Sequence, residues 1–390
     1  MNETQNTPEL RFEGFTEPWG QRKVADVANR FDNLRVPVTA SLRVPGTTPY
    51  YGANGIQDYV EGSTHDGEFV LVAEDGANDL KNYPVRFVNG RIWVNNHAHV
   101  LQAKSEIADN KYLAYSISQV NIESLLVGGG RAKLNAEALM GINFYLPTFA
   151  EQKAIGDYFA AFDSLITLHQ CKYERLQHLK QALLQKMFPK PGELVPELRF
   201  DGFAEPWEER KLGEIGEVKT GNTPSTANEN YYSKKGTPWI TPTDIRENGT
   251  YSVNKHLSTE GMSVAQLAPA GSILCTCIAS IGKNTFTETT CGFNQQINAL
   301  IPAHDTFDSY FLFFESALWS AQMKSNAASG TMQIVNKTEF SKLEAMIPSL
   351  PEQKIIGTFF SNLDSLITLH QRKYERLKRL KQALLRKMFV

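Results

Sequence analysis

DSLITLHQCKYERLQHLKQALLQKMF, residues 163–188, returns as DSLITLHQRKYERLKRLKQALLRKMF, residues 364–389. The match extends further: Leu146–Phe188 and Ile347–Phe389 agree at 29 of 43 positions, at an offset of 201. A second repeat precedes each of these blocks. PELRFEGFTEPWGQRKV, Pro8–Val24, and PELRFDGFAEPWEERKL, Pro196–Leu212, agree at 12 of 17 positions, at an offset of 188. The chain is therefore a duplication, and a repeat of this length dictates the architecture. Each copy runs short motif, divergent region, long helical block.

The helical blocks read as a coiled-coil seam. Thr148-x-x-Glu151 and Ser349-x-x-Glu352 are capping boxes, and Pro351 suits a first helical turn. Beyond them, apolar residues recur at spacings of three and four. In the first copy they are Ile155, Phe159, Phe162, Ile166, Tyr173, Leu176, Leu179, Leu183 and Met187. In the second they are Ile356, Phe360, Leu363, Ile367, Tyr374, Leu377, Leu380, Leu384 and Met388. His169 and His370 fall on or beside the seam, read either as a polar layer that fixes register or as partly exposed histidines. Pro189-x-Pro191-Gly192 closes the first block. Two such helices can pair antiparallel about a pseudo-twofold axis.

Between the blocks the copies have diverged, though traces of a common frame survive. Thr48-Pro49-Tyr50 aligns with Thr237-Pro238-Trp239, and Val94-Asn95-Asn96-His97 with Phe293-Asn294-Gln295-Gln296. Gly129 and Asn135 align with Gly330 and Asn336. Strand-like runs at Phe69–Val72 and Arg91–Val94 alternate with turns such as Gly52-Ala53-Asn54-Gly55, and a helix is expected over Lys111–Leu126. The second copy offers strands near Trp239-Ile240, Ser272–Cys277 and Ile297–Ile301, and a helix over Ser309–Met323. The expected fold class is α+β. Two recognition domains of similar fold, residues 1–145 and 191–346, are separated by helical regions 146–190 and 347–390 that form an antiparallel coiled coil.

Composition narrows the class. At 390 residues, 42% apolar and 21% charged, the chain suits two or three globular domains. No apolar run approaches the roughly 18 residues of a membrane span. Met1–Leu10 is polar and lacks a secretory h-region, so a cytoplasmic protein is expected. Cys171, Cys275, Cys277 and Cys291 form no C-x-x-C pair and read as reduced core thiols. Net charge is −2, a poor footprint for a nucleic-acid binder. Positive charge is concentrated instead: residues 371–390 carry eight Lys/Arg and one acid.

Catalytic signatures are absent from the sequence. There is no P-loop: Gly282-Lys283 lacks the upstream glycine, Cys277 standing in its place, and is followed by Asn284. There is no Asn/Asp-Pro-Pro-aromatic tetrad, no H-E-x-x-H and no G-x-S-x-G. Glu151-Gln152-Lys153 and Glu352-Gln353-Lys354 resemble a nuclease E-x-K, but each Glu is expected to close a capping box, and neither has an upstream acidic partner. No metal set is expected.

Base reading calls for amides and cations on exposed loops, since Asn or Gln suits adenine and Arg suits guanine. Asn95, Asn96 and His97 are candidates, with their counterparts Asn294, Gln295 and Gln296; the plain alternative is a turn-forming Asn at a strand end. Lys219, Asn222, Thr223 and Ser225, followed by Tyr231, Tyr232, Lys234 and Lys235, have the composition of a loop that positions phosphate and sugar. Arg35, Arg43, Tyr50, Tyr51 and Asn54 occupy the comparable region of the first copy.

These motifs resemble the specificity (S) subunits of type I restriction–modification enzymes over nearly the whole chain. The resemblance rests on L-R-F-x-G-F-x-E-P-W (Leu10–Trp19, Leu198–Trp207), Pro-x-x-x-Glu-Gln-Lys (Pro147–Lys153, Pro348–Lys354) and L-K-Q-A-L-L-x-K-M-F (Leu179–Phe188, Leu380–Phe389). Gly221–Ser225 with Trp239-Ile240-Thr241-Pro242-x-Asp244-Ile245 also resembles one common recognition-domain type. The resemblance implies a non-catalytic subunit of which each variable domain reads one half of a split site in double-stranded DNA. The helices would fix the unread spacer and help dock two methyltransferase (M) subunits, with motor-nuclease (R) subunits joining for cleavage. S-adenosylmethionine, ATP and Mg²⁺ would serve those partners. Two other readings are a stand-alone DNA-binding regulator and a coiled-coil assembly protein. The first lacks a helix-turn-helix, and the second gives no reason for divergent domains on one frame.

Overall fold

The structure, a computed structural model, describes residues 6–128, 132–278, 280–328 and 334–390. Gly129 and Gly330 lie outside them. Two compact units emerge, and their limits differ from the boundaries drawn on sequence. One comprises Met1–Cys171 with Gln371–Val390, the other Lys172–His370. Each long helix thus divides its residues between the units: Phe149–Met187 changes unit after Cys171, and Leu350–Met388 after His370. No helix among the described residues is long and apolar enough to cross a membrane.

In the first unit a six-stranded sheet runs in the order Ala28–Arg30, Ala98–Ala103, His65–Ala73, Val85–Val94, Pro45–Gly52, Gly55–Val60. Its alternation sorts the core. Val70 and Val72 join the cluster with Tyr112, Leu113 and Ile117 of helix Asn110–Ser118, whereas Phe69 and Leu71 join Val88, Ile92 and Val94 in a second cluster. Successive strand residues point to opposite faces, so one strand serves both layers. The expected helix over Lys111–Leu126 ends at Ser118, and a 3₁₀ turn follows at Ile122–Leu125 because Asn121 leaves helical geometry.

Among the described residues the second unit holds, besides the antiparallel pair Glu208–Lys211 with Glu344–Ile347, two larger sheets. One orders Gly216–Thr220, Ile297–Pro302, Ile273–Thr276, Asn284–Phe286; the other Tyr232–Ser233, His256–Leu257, Thr237–Ile240, Cys291–Phe293, Leu267–Ala268. Helix Ser309–Ala328 runs five residues past the Met323 expected from sequence. Cys275, Cys277 and Cys291 are buried thiols, but Cys171 is exposed on its helix and is not a core residue.

The repeated motifs build the same joint in both units. Arg11 Nε and Nη2 donate to the two carboxylate oxygens of Glu151 at 2.6 and 2.7 Å, and Arg199 does the same to Glu352 at 2.7 Å each. Both glutamates are fully buried. The capping-box role expected for them is therefore corrected. Thr148 Oγ1 does accept from Glu151 N at 3.4 Å, but the carboxylates serve the arginines. A bidentate, charge-assisted pair outcompetes a single bond to a backbone N–H. Gln152 accepts from Asp109 N and donates to Ile107 and Pro147 carbonyls; Gln353 accepts from Asp308 N and donates to Pro348. Trp19 packs edge-on to Tyr112, as Trp207 does to Phe311.

The long helices pair antiparallel within each unit. In the first, Asp163 meets Lys381 at 2.5 Å and Phe159 lies beside Phe389. In the second, Lys180 meets Asp364 at 2.6 Å and Phe188 lies beside Phe360. The helix that supplies the aspartate in one unit supplies the lysine in the other. Leu179 and Leu380 are not seam residues, being 46% and 44% exposed. In the second unit Lys180 takes that place, lying over the Phe314 ring. A 3.6-residue turn drifts from a strict heptad, so one seam position shifts by a residue.

Candidate nucleic-acid interface

The traces of common frame mark one structural spot in both units. Pro45–Gly52 pairs parallel with Val85–Val94 through Tyr50↔Trp93 and Tyr51↔Val94. Thr237–Ile240 pairs parallel with Cys291–Phe293 through Trp239↔Gly292 and Ile240↔Phe293. Past each parallel pair stands a buried asparagine whose backbone N–H returns to the neighbouring strand, Asn95 to Tyr51 O and Asn294 to Ile240 O. Each side chain then closes a turn: Asn95 Oδ1 accepts from His97 N, and Asn294 Oδ1 from Gln296 N. These two asparagines hold the turn, which leaves Asn96 and Gln295 as its exposed residues.

In the second unit the sequence candidates converge. Thr223 Oγ1 donates to Gln295 Oε1 at 2.6 Å, and Tyr232 Oη donates to Pro224 O at 2.7 Å. Asn222 is a brace, donating to Val264 O and accepting from Gln266 N. Thr223, Ser225, Lys234, Lys235 and Gln295 are exposed, Tyr231, Tyr232 and Gln296 half-buried. Lys255, which sequence reading passed over, lies 5.8 Å above the Tyr232 ring and 6.0 Å above Trp239. Lys219 is half-buried and pairs with Glu217 at 3.2 Å.

In the first unit the candidates divide. Tyr50 and Tyr51 are core residues, 1% and 8% exposed, with the Tyr50 hydroxyl bonded to Val38 N and O. Asn54 is exposed but donates to Gly76 O and accepts from Asn78 N. His97 Nδ1 contacts Asp75 Oδ1 at 2.5 Å. Arg43 is half-buried over the Tyr50 ring at 4.1 Å and reaches Asp58 and Gln57. Arg35 is held in an ionic network: Nη1 donates to Glu74 at 2.6 Å and to Ala98 O at 2.9 Å. His99 Nδ1 joins Asp32 at 2.6 Å, and Lys133 joins Glu74 at 2.7 Å.

That network explains its own electrostatics. Burial alone would raise the Asp32 and Glu74 carboxyls, but bonds from His99 and Val100 N to the first, and from Lys133 and Arg35 to the second, hold both below the usual carboxylate range. Asp32, Glu74 and His99 place ligand-type atoms within 4.8 Å of one another, a spacing that a cation could use. Arg35 and Lys133 already supply positive charge to those carboxylates, which makes the group an ion-pair cluster.

Gln57 is a site residue that no sequence motif marks. It is exposed on the edge strand Gly55–Val60, with its Oε1 facing Asn95 Nδ2 and Arg43 Nη2. Polar alternation could have flagged the strand, but not the irregular pairing that aims this side chain.

The comparisons agree with this architecture. The family profile described as type I restriction modification DNA specificity domain matches residues 16–178 and 204–379. A Haemophilus influenzae protein described as type I restriction enzyme specificity subunit S.HindORF215P is 30% identical over 376 residues, covering 94% of this chain and 92% of that one. The HindI specificity subunit of the same organism is 26% identical over 264 residues, 64% of this chain and 56% of that one. Among solved structures, the S subunit of a type I restriction–modification system from M. genitalium superposes with a TM-score of 0.75 at 17% identity, covering 98% of this chain and 99% of that one.

Proposed function

Because the chain belongs to the type I restriction–modification specificity family, with two recognition domains, we propose that each unit reads one half of a bipartite DNA site and that the helices set the unread spacer between the halves. The observation that carries this reading is the contrast between joint and surface. The arginine–glutamate latch, the buried tryptophan and the helix pairing are repeated almost atom for atom, whereas the loops around Asn95 and Asn294 differ in sequence and sheet context. One frame that carries two unlike reading ends suits a target with two unlike halves.

The helices also support docking of two identical partners. Leu165 and Leu168 are 45% and 46% exposed, and their repeat counterparts Leu366 and Leu369 are 46% and 45% exposed. Large apolar side chains kept at the surface in both copies favour contact with a partner over solvation. Methyltransferase subunits are the occupants proposed, one per unit, with motor-nuclease subunits joining for cleavage in the cytoplasm. The chain would act without catalysis of its own. S-adenosylmethionine would be used by the methyltransferase subunits, and ATP and Mg²⁺ by the motor-nuclease. Reconstitution tests this. The purified chain should neither methylate nor cut DNA, and M subunits should add site-specific adenine methylation. Tight, specific DNA binding by the chain alone, unchanged by M subunits, would favour a stand-alone regulator and refute the proposal.

A further inference from the structure

Resting on that reading, we propose that Gln57 is a specificity-determining residue of the first half-site, and that it reads a guanine by donation alone. Three observations lead there. First, Gln57 is the extra residue of a β-bulge: Tyr50 pairs with Asp58 and Tyr51 with Ile56, so Gln57 has no partner across the ladder. A bulge on an edge strand re-aims one side chain and is typical beside functional sites. Second, the neighbouring strand makes room for it. A Cβ on Gly52 would fall 2.3 Å from Gln57 Nε2 and 2.7 Å from its Cδ, so the amide lies over Gly52 and any side chain there would displace it. Third, the network fixes which way the amide points. Arg43 can only donate, and Asn95 spends its own oxygen on His97 N, so the Gln57 atom that both reach at 3.5 and 3.4 Å must be the carbonyl oxygen.

The chemistry follows. With Oε1 turned toward two donors at 3.4 and 3.5 Å, the amide favours donation from Nε2 over the bidentate donor–acceptor contact that reads adenine. Its Nε2 has no hydrogen-bond partner among the described residues and offers donors only. A guanine, with acceptors at N7 and O6 in the major groove, matches a donor-only group. In the second unit a glutamine at a different place, exposed Gln295 in the turn after buried Asn294, also has its oxygen engaged, by Thr223.

The test uses the complex of the full chain with its methyltransferase subunits. Methylated-adenine mapping first gives the wild-type motif. Gln57→Leu should relax one position of the half-site read by the first unit, a guanine in the wild-type motif, and leave the other half-site intact. The other positions of the first half-site, still read, report that the first unit of the variant folds, and the intact second half reports the same of the second unit. Replacing this guanine by 7-deazaguanine in a synthetic duplex should weaken wild-type binding about tenfold, the value of one hydrogen bond, and should cost the Gln57→Leu complex nothing further. An unchanged motif in the variant, relaxation at an adenine, or an equal 7-deaza penalty in both complexes overturns the assignment while leaving the specificity-subunit reading standing. A wild-type complex with no bipartite motif overturns both.

Discussion

Arg11→Met should open the joint of the first unit and leave that of the second intact. Glu151 is fully buried, and both its oxygens are engaged by Arg11 at 2.6 and 2.7 Å. Removing the guanidinium strands a carboxylate in the protein interior, which typically costs about 3–5 kcal/mol. At 1.36 kcal/mol per decade this is roughly two to nearly four decades in an opening equilibrium. The Leu10 amide, which donates to Lys387 O at 2.8 Å, is the local probe, and the Leu198 amide on Lys186 O is its matched control. Amide hydrogen exchange should show Leu10 exchanging at least a hundredfold faster, with Leu198 unchanged. Pairing Arg11→Met with Glu151→Met replaces the ion pair by apolar volume, a change often neutral or stabilising, so the double variant should recover most of the protection. A Leu10 rate raised less than tenfold, or a double variant no slower than the single, would refute the view that the latch holds the unit closed.

Other outcomes are open to measurement. Gly156→Ala should lower the melting temperature, against the usual gain of about 1 kcal/mol for Gly→Ala in a helix. The new Cβ would sit 2.7 Å from Asp109 Oδ1, the cap of helix Asn110–Ser118, at an expected cost of about 1–3 kcal/mol. Glu315→Gln should stabilise the second unit, and more at pH 8 than at pH 5. Burial pushes the Glu315 carboxyl well above its ordinary value, so the fold holds a proton that the unfolded chain gives up, and stability falls as pH rises above the unfolded value. A pH-independent gain in denaturant titrations would contradict that. Exchanging residues 21–145 for those of another specificity subunit should change one half of the methylated motif only, a result read by methylome sequencing. Four helical residues inserted after Arg175 add roughly 6 Å and about one turn, and should lengthen the unread spacer by one or two base pairs. Two residues rotate the seam by about 200° and should abolish activity.

The duplication, the two long helices, the α+β class and the family could all be read from the sequence, because each is written in local order. Helical spacing, capping residues and repeated motifs need no knowledge of what lies across the fold. The candidate loops of the second copy, Asn222–Ser225 and Asn294–Gln296, could also be found, since Gly, amide and hydroxyl residues signal exposed turns. Burial could not. Tyr50 and Tyr51 have a composition suited to a nucleic-acid surface, yet the sheet places them inside, and Arg35 looks like a phosphate contact until Glu74 and Asp32 come within reach of it. Long-range partners were equally hidden. Glu151 lies three residues from Thr148 and 140 from Arg11, so local reading assigned it to the cap, while the tertiary fold gave it to the arginine. Gln57 shows the same limit at one residue: its type was visible, but its role depends on a slipped register and on a glycine, an arginine and an asparagine that only folding brings together. The sequence determined the repeated frame and its long helices; the tertiary structure decided which polar groups are used up in holding that frame together and which are left exposed at the candidate interface.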